Sequence, residues 1–236
     1  LAKLLSSKYT RSKVRKALPE DYAYIIDELL HAQKNEDTNK VSYHRHILQT
    51  IIDLDDADEF IIALSTLIKR LAVDHLHIVG DIFDRGGNAD KIIDLLMNYH
   101  SLDIEWGNHD ILWMGAACGN DACICNVIRN NLKYGNVEIL ENAYGISLRH
   151  LMLFGMSKYG IEDAIQAALA AIKVILFKLE GQLIKRHPEY GMDDRLLLEH
   201  IDLDEGFVTV NGENAKLKTN IFPTLNKENP YELTAE

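Results

Sequence analysis

The chain has 236 residues, of which 47% are hydrophobic and 26% are charged, and 36 acidic against 25 basic side chains leave a net charge of −11. This composition predicts a soluble globular protein and excludes a disordered, collagen-like or disulfide-stapled chain. No membrane-spanning stretch is predicted, because Gln166 and Lys173 interrupt the most apolar run, residues 164–177. The negative charge also argues against a nucleic-acid partner.

Residues 1–73 are predicted to form a helical segment with a basic beginning. Residues 1–16 carry six Lys and Arg side chains and no acidic one. Their interleaved hydroxyl groups leave an anion-binding role open, although a solvated basic face is the simpler interpretation. Apolar residues then recur at helical spacing after Pro19, between Ile47 and Leu54, and after Asp58.

Residues 74–143 are predicted to form a βαβ core. A short β-prone run ends at Gly80, a helical pattern covers residues 92–99, and a second β-prone run ends at Gly107. A right-handed crossover would set the two strands side by side. The loops that follow the strands would then lie at the same edge of the sheet.

The remaining chain is predicted to hold a helical insertion, residues 144–206, and then a hairpin with an extended tail, residues 207–236. The hairpin is expected to turn at Asn211 and Gly212, a pair typical of two-residue turns. Three cysteines, at positions 118, 123 and 125, match no zinc-binding spacing. We interpret them as reduced thiols, which predicts a cytoplasmic protein.

Two polar motifs follow the predicted strands: residues 80–86 read GDIFDRG and residues 107–110 read GNHD. Asp81 and Asn108 supply hard oxygen donors suited to Mn²⁺ or Mg²⁺. His109 can transfer protons near neutral pH, and Arg85 presents a planar fork for phosphate oxygens. Each motif alone is typical of a turn. At the ends of neighbouring strands, the pair together predicts a metal-dependent site for a phosphate group.

These motifs resemble the second and third sequence blocks of the calcineurin-like metallophosphoesterase superfamily. The resemblance implies an α/β fold with a partial metallophosphoesterase-like βαβ core and extensive helical additions. It further implies that Asp81 bridges two metal ions, that Asn108 ligates one of them, and that His109 protonates the leaving oxygen. Asp84 would orient His109, and Arg85 would hold the scissile phosphate. Paired cations would polarise the phosphoryl group.

Other stretches are similar to the class III fructose-1,6-bisphosphatases of bacteria. They are residues 7–19, 70–77, 106–116, 178–182, 194–198 and 229–234. This resemblance covers nearly the whole chain. It implies a metal-dependent phosphoric monoester hydrolase of gluconeogenesis that removes the 1-phosphate of fructose 1,6-bisphosphate, a small-molecule partner. The implied cofactor is a pair of Mn²⁺ ions, with Mg²⁺ as the alternative.

The chain also departs from that family. The family's Asp-x-His block upstream and Gly-His pair downstream do not occur, and Leu1 stands where an initiator methionine would stand. Gly87 lies where a proline-containing loop is expected. We therefore expect an internal fragment of a longer enzyme, nearly inactive alone because it carries part of the metal site. An unpaired sheet edge would favour association into a homo-oligomer.

Two other interpretations stay open. A phosphoprotein phosphatase would share both motifs, although Trp106 and Asp110 stand where such enzymes typically carry arginine and glutamate. A non-catalytic module would keep the fold and act through residues 1–16 as an anion sensor or partner surface. The intact polar residues of both motifs favour an enzyme over this module.

Overall fold

The computed structural model describes residues 1–33 and 37–235, which form two compact units. Unit 1 contains the described residues up to Ile78 together with Tyr99–Asp103, and unit 2 contains Val79–Asn98 and residues 104–235. The boundary between the units falls inside the segment 74–143. The division into four segments stays a prediction.

Unit 1 is mostly helical, which confirms the helices predicted in the first 73 residues. Its helices are α1 (Ala2–Ser6), α2 (Arg11–Ala17), α3 (Ala23–His31), α4 (Thr38–Asp53) and α5 (Ala57–Ala72). α5 begins with Asp58 and Glu59 in its first turn, where the helix dipole favours acidic side chains. Its apolar face buries Leu67 completely, in the same core cluster as Ile26 of α3.

Two short strands follow these helices and pair in a two-stranded sheet. They are β1 (Leu76–Ile78) and β2 (Leu102–Ile104), and α6 (Ala89–Met97) lies between them in the chain. The Leu76 N–H donates to the Ser101 carbonyl at 3.0 Å. The predicted order of strand, helix and strand is therefore present, and the protein as described is a mixed α/β structure with small sheets.

Unit 2 is organised around one long helix. Its helices after α6 are α7 (Asn108–Ala117), α8 (Asp121–Tyr134), α9 (Arg149–Tyr159) and α10 (Ala164–Arg186), with a π-helical turn at Ile139–Ala143. α9 and α10 approach closely at Gly155, where an added Cβ atom would lie 2.4 Å from the Ala167 carbonyl oxygen. The small side chains of Ala167 and Ala168 are fully buried there. Within the described residues, no helix combines the length and apolarity needed to cross a bilayer.

The chain continues into a small antiparallel sheet, which confirms the predicted hairpin. Its strands are β3 (Ile201–Asp202), β4 (Phe207–Val210) and β5 (Glu213–Lys216). Val210 pairs with Glu213, and the two turn residues Asn211 and Gly212 have φ values of 51° and 81°. Asparagine and glycine tolerate this left-handed backbone better than other residues do. Strand β3 was not predicted, because two residues give no periodic signal.

The tail is anchored on one face of α10. The Lys178 side chain, only 2% exposed, donates from Nζ to the carbonyls of Thr224 and Glu232 at 2.5 and 2.7 Å. One turn further, the Tyr231 ring lies against Gly181, where an added Cβ atom would be 2.1 Å from the ring. Burial lowers the pKa of Lys178, and the nearby charge of Glu232 opposes this shift. The tail therefore packs as part of unit 2.

Candidate active site

The two motif loops meet within unit 2. An added Cβ atom on Gly107 would lie 2.1 Å from Asp81 Oδ1, and one on Gly80 would lie 2.4 Å from the Gly107 nitrogen. Both positions therefore need glycine, because no other residue could bring the two backbones so close. The Asp81 carboxylate consequently rests against the beginning of α7. All five predicted site residues lie in these two loops or in the first turn of α7.

Asp110 joins the two loops through its buried carboxylate. Its Oδ2 accepts hydrogen bonds from the N–H groups of Asp81 and Gly107, at 2.5 and 2.9 Å, and its Oδ1 accepts one from Phe83 at 3.2 Å. The side chain is 8% exposed. The sequence analysis did not select Asp110 as a site residue. Asp110 is the third residue of a helix that follows a glycine, which is the position of the acidic residue in a capping box. This pattern could have predicted its role from the sequence.

An aromatic stack supports the first loop. The Phe83 ring lies with its centroid 4.5 Å from that of Trp113 on α7, which in turn lies 5.2 Å from the ring of Tyr144. Such tilted ring pairs add to the free energy gained by burying apolar area. Phe83 therefore holds the loop through its side chain as well as through its backbone bond to Asp110.

Asp81 and Asn108, the predicted metal ligands, lie at the junction of the loops. Asp81 has a φ of 55°, in the left-handed region that few residues other than glycine adopt. Its Oδ1 accepts a hydrogen bond from the His109 N–H at 3.1 Å. Asn108, the first residue of α7, is exposed. The strained backbone at Asp81 is of the kind that occurs at functional sites.

These two residues fit part of a site for a hard divalent cation. Carboxylate and amide oxygens are the donors that Mn²⁺ and Mg²⁺ accept. Within residues 1–33 and 37–235, however, no group of three or more His, Cys, Asp or Glu side chains is arranged to hold a metal ion. Asp81 and Asn108 thus present two oxygen donors of the kind that such an ion accepts.

His109 and Asp84 face each other across the two loops. His109 Nε2 lies 2.9 Å from Asp84 Oδ1, within ion-pair distance. The contact lacks the alignment of a hydrogen bond, and this oxygen is buried with no other well-aligned donor among the described residues. The two side chains are therefore in direct contact across the loops.

Arg85 extends from the same network toward solvent. Its side chain is 68% exposed, and its Nε lies 3.4 Å from Asp84 Oδ1. The guanidinium carbon is 5.3 Å from the centre of the Tyr134 ring. The structure thus places Arg85, Asp84 and His109 in one continuous series of contacts, next to the loop junction that holds Asp81.

Comparisons with known proteins agree with the sequence resemblance. The molecule is a mixed α/β protein whose polar motif residues gather at one loop junction. The family model described as Firmicute fructose-1,6-bisphosphatase matches residues 1–236, and the chain belongs to that family. No solved structure matches the chain.

The curated relatives carry the corresponding name. The chain is 54% identical to the Clostridium beijerinckii protein named fructose-1,6-bisphosphatase class 3 1, over 99% of this chain and 38% of that protein. It is 54% identical to a fructose-1,6-bisphosphatase class 3 of Listeria monocytogenes, over 99% of this chain and 39% of that protein. The Clostridium novyi protein named fructose-1,6-bisphosphatase class 3 is 50% identical, over 99% of this chain and 38% of that protein. The chain thus spans less than two fifths of the length of these relatives.

Proposed function

We propose that this chain contributes a phosphate-ester hydrolysis site to a fructose-1,6-bisphosphatase. The observation that supports this most is the arrangement of the two motif loops. Asp81 accepts the backbone N–H of His109 at 3.1 Å, while Asp84 lies 2.9 Å from the imidazole of the same residue. A carboxylate for a cation and an imidazole for proton transfer are thereby held side by side. The family match favours a sugar bisphosphate over a phosphoprotein as the substrate.

In this proposal each residue has a separate role. Asp81 and Asn108 hold Mn²⁺, with Mg²⁺ as the alternative, as part of a dinuclear site. When bound, such cations supply Lewis-acid polarisation of the phosphoryl oxygens. Arg85 binds phosphate oxygens through its terminal nitrogens. His109 gives a proton to the leaving sugar oxygen, and Asp84 orients the imidazole ring. Because Nε2 faces Asp84, the transferred proton is the one on Nδ1.

The chain on its own is proposed to be nearly inactive. A site limited to the donors of Asp81 and Asn108 would bind a divalent cation weakly, because each additional carboxylate or imidazole adds to the affinity. Phosphate release by residues 1–236 alone should therefore be far slower than release by the protein with any flanking segments that its gene encodes. Equal rates would contradict this part of the proposal. We also place the protein in the cytoplasm, since it would act on a sugar phosphate of central metabolism.

The direct test is a phosphate-release assay with Mn²⁺ or Mg²⁺ on the gene product with any such segments. Fructose 1,6-bisphosphate should be hydrolysed, and a phosphopeptide should not. His109→Gln should lower kcat by about 100-fold or more, the usual contribution of a general acid. His187→Gln is the matched control, since His187 is half-buried and stacks on Tyr190. The proposal fails if His109→Gln is as active as the control, or if the phosphopeptide is the better substrate.

A further inference from the structure

The end of α8 forms a fixed platform beside the Arg85 loop. Gly135, with a φ of 74°, ends the helix in the left-handed conformation, and its N–H donates to the Asn131 carbonyl. The N–H of Asn136 donates to the same carbonyl at 2.9 Å. Asn131 is itself buried, and its side chain donates to the Val127 carbonyl. This glycine-capped helix end fixes the backbone of residues 134–136.

Two side chains of this platform contact Arg85. Asn136 Nδ2 donates to the Arg85 carbonyl oxygen at 2.8 Å, and the Tyr134 ring lies 5.3 Å from the guanidinium carbon. The first contact holds the main chain of Arg85, and the second covers one face of its guanidinium group. Neither α8 nor these two residues belongs to the sequence motifs that predict the site.

The remaining edge of the guanidinium group is available to a ligand. Its Nε lies near Asp84, but no acceptor among the described residues pairs with its two terminal nitrogens. An arginine that is 68% exposed would otherwise sample many side-chain conformations. The ring and the carboxylate together restrict that motion. They leave free the edge that forms paired hydrogen bonds with phosphate oxygens.

We propose that Tyr134 and Asn136 are positioning residues for Arg85, which they hold ready for the phosphate group of the substrate. This inference rests on the proposed function for the role of Arg85. The contacts of Arg85 with Tyr134 and Asn136 form without substrate and can be tested in its absence. Loss of the ring or of the amide therefore loosens the guanidinium group without removing any donor to the substrate.

A double-mutant cycle tests this role against a merely structural one. Tyr134→Leu should lower kcat/KM for fructose 1,6-bisphosphate by about 2–5-fold, mainly through KM, as expected for an exposed cation–π contact. Tyr134→Phe keeps the ring and should retain wild-type values. Asn136→Ala should cost about 2–10-fold, as one hydrogen bond does. With Arg85→Ala already present, neither substitution should have a further effect.

The matched control is Tyr190→Leu, which removes an exposed tyrosine that stacks on His187 instead of on arginine. It should leave KM unchanged. An equal loss from Tyr134→Leu with and without Arg85 would overturn the inference, and so would a KM of Tyr134→Leu equal to that of the wild type. If the wild-type protein does not hydrolyse fructose 1,6-bisphosphate, the proposed function fails, and the positioning role is decided by the measurement below.

That measurement is the ¹H–¹⁵N NMR signal of the Arg85 Nε–H group, assigned by its loss in Arg85→Lys. The Tyr134 ring should displace this signal by its ring current, and the heteronuclear relaxation should report restricted motion. Tyr134→Leu should abolish both properties, whereas Tyr134→Phe should keep them. An Arg85 signal that is equally mobile in the wild type and in Tyr134→Leu would refute the inference, whether or not the protein is active.

Discussion

Replacing Asp110 by asparagine should separate the two motif loops. The amide oxygen can still accept the two hydrogen bonds that Oδ2 receives from Asp81 and Gly107. The amide nitrogen, however, would face the N–H of Phe83, which Oδ1 accepts at 3.2 Å. Two donors would then oppose each other. The substitution thus removes one hydrogen bond to a charged acceptor and the negative charge at the beginning of α7.

The expected cost follows from those two losses. A hydrogen bond to a charged group contributes about 1.5–3 kcal/mol, and an acidic residue in the first turn of a helix contributes about 0.3–1 kcal/mol. Asp110→Asn should therefore lower the free energy of unfolding by about 2–4 kcal/mol. Asp121→Asn is the matched control, because Asp121 is exposed in the first turn of α8 and its loss tests the dipole term alone.

Urea unfolding measures the free energies, and amide hydrogen exchange reports on the loops directly. The N–H groups of Asp81, Phe83 and Gly107 should exchange faster in Asp110→Asn. Their exchange rates should stay at the wild-type values in Asp121→Asn. The reasoning would be refuted if both variants lost the same stability. It would also be refuted if exchange at these three amides stayed at the wild-type rate.

Three further predictions concern unit 2. Gly181→Ala should destabilise the fold by about 1–3 kcal/mol in urea unfolding, since the new Cβ atom would overlap the Tyr231 ring; an unchanged midpoint would show that the ring has room to move. Burial lowers the pKa of Lys178 in the folded state below the ordinary value of 10.5. Between these two values the unfolded chain binds a proton that the folded protein does not, so the contribution of Lys178 makes the free energy of unfolding rise with pH. Lys178→Met should remove this rise from the pH dependence of unfolding, and a retained rise would assign it to another group. Iodoacetamide at pH 8 should modify exposed Cys118 first and Cys125 last, because burial raises the pKa of Cys125 to about 11 and the charge of Asp121 adds to the shift. Peptide mass spectrometry measures the order of labelling, and early labelling of Cys125 would contradict this prediction.

Much of the secondary structure could be predicted because its signals are local. Helix α5 shows apolar residues at helical spacing with acidic residues in its first turn, and the hairpin shows an Asn-Gly pair between alternating residues. Both signals lie within a few consecutive residues. The two-residue strand β3 and the π-helical turn at Ile139–Ala143 carry no such signal, because each is too short to show a periodic pattern.

For the candidate site as well, local patterns could be predicted from the sequence and long-range contacts could not. The amino-acid sequence by itself predicted the two motif loops and singled out Asp81, Asp84, Arg85, Asn108 and His109 as candidate site residues, because glycine-flanked polar residues after a strand form a short, recognisable pattern. The tertiary structure alone decided that Asp110 ties the loops together and that Asn136 reaches the Arg85 carbonyl. It also decided that buried Lys178 anchors the tail. These contacts join residues far apart in the chain, and their formation depends on how whole helices pack, a property that no short pattern encodes.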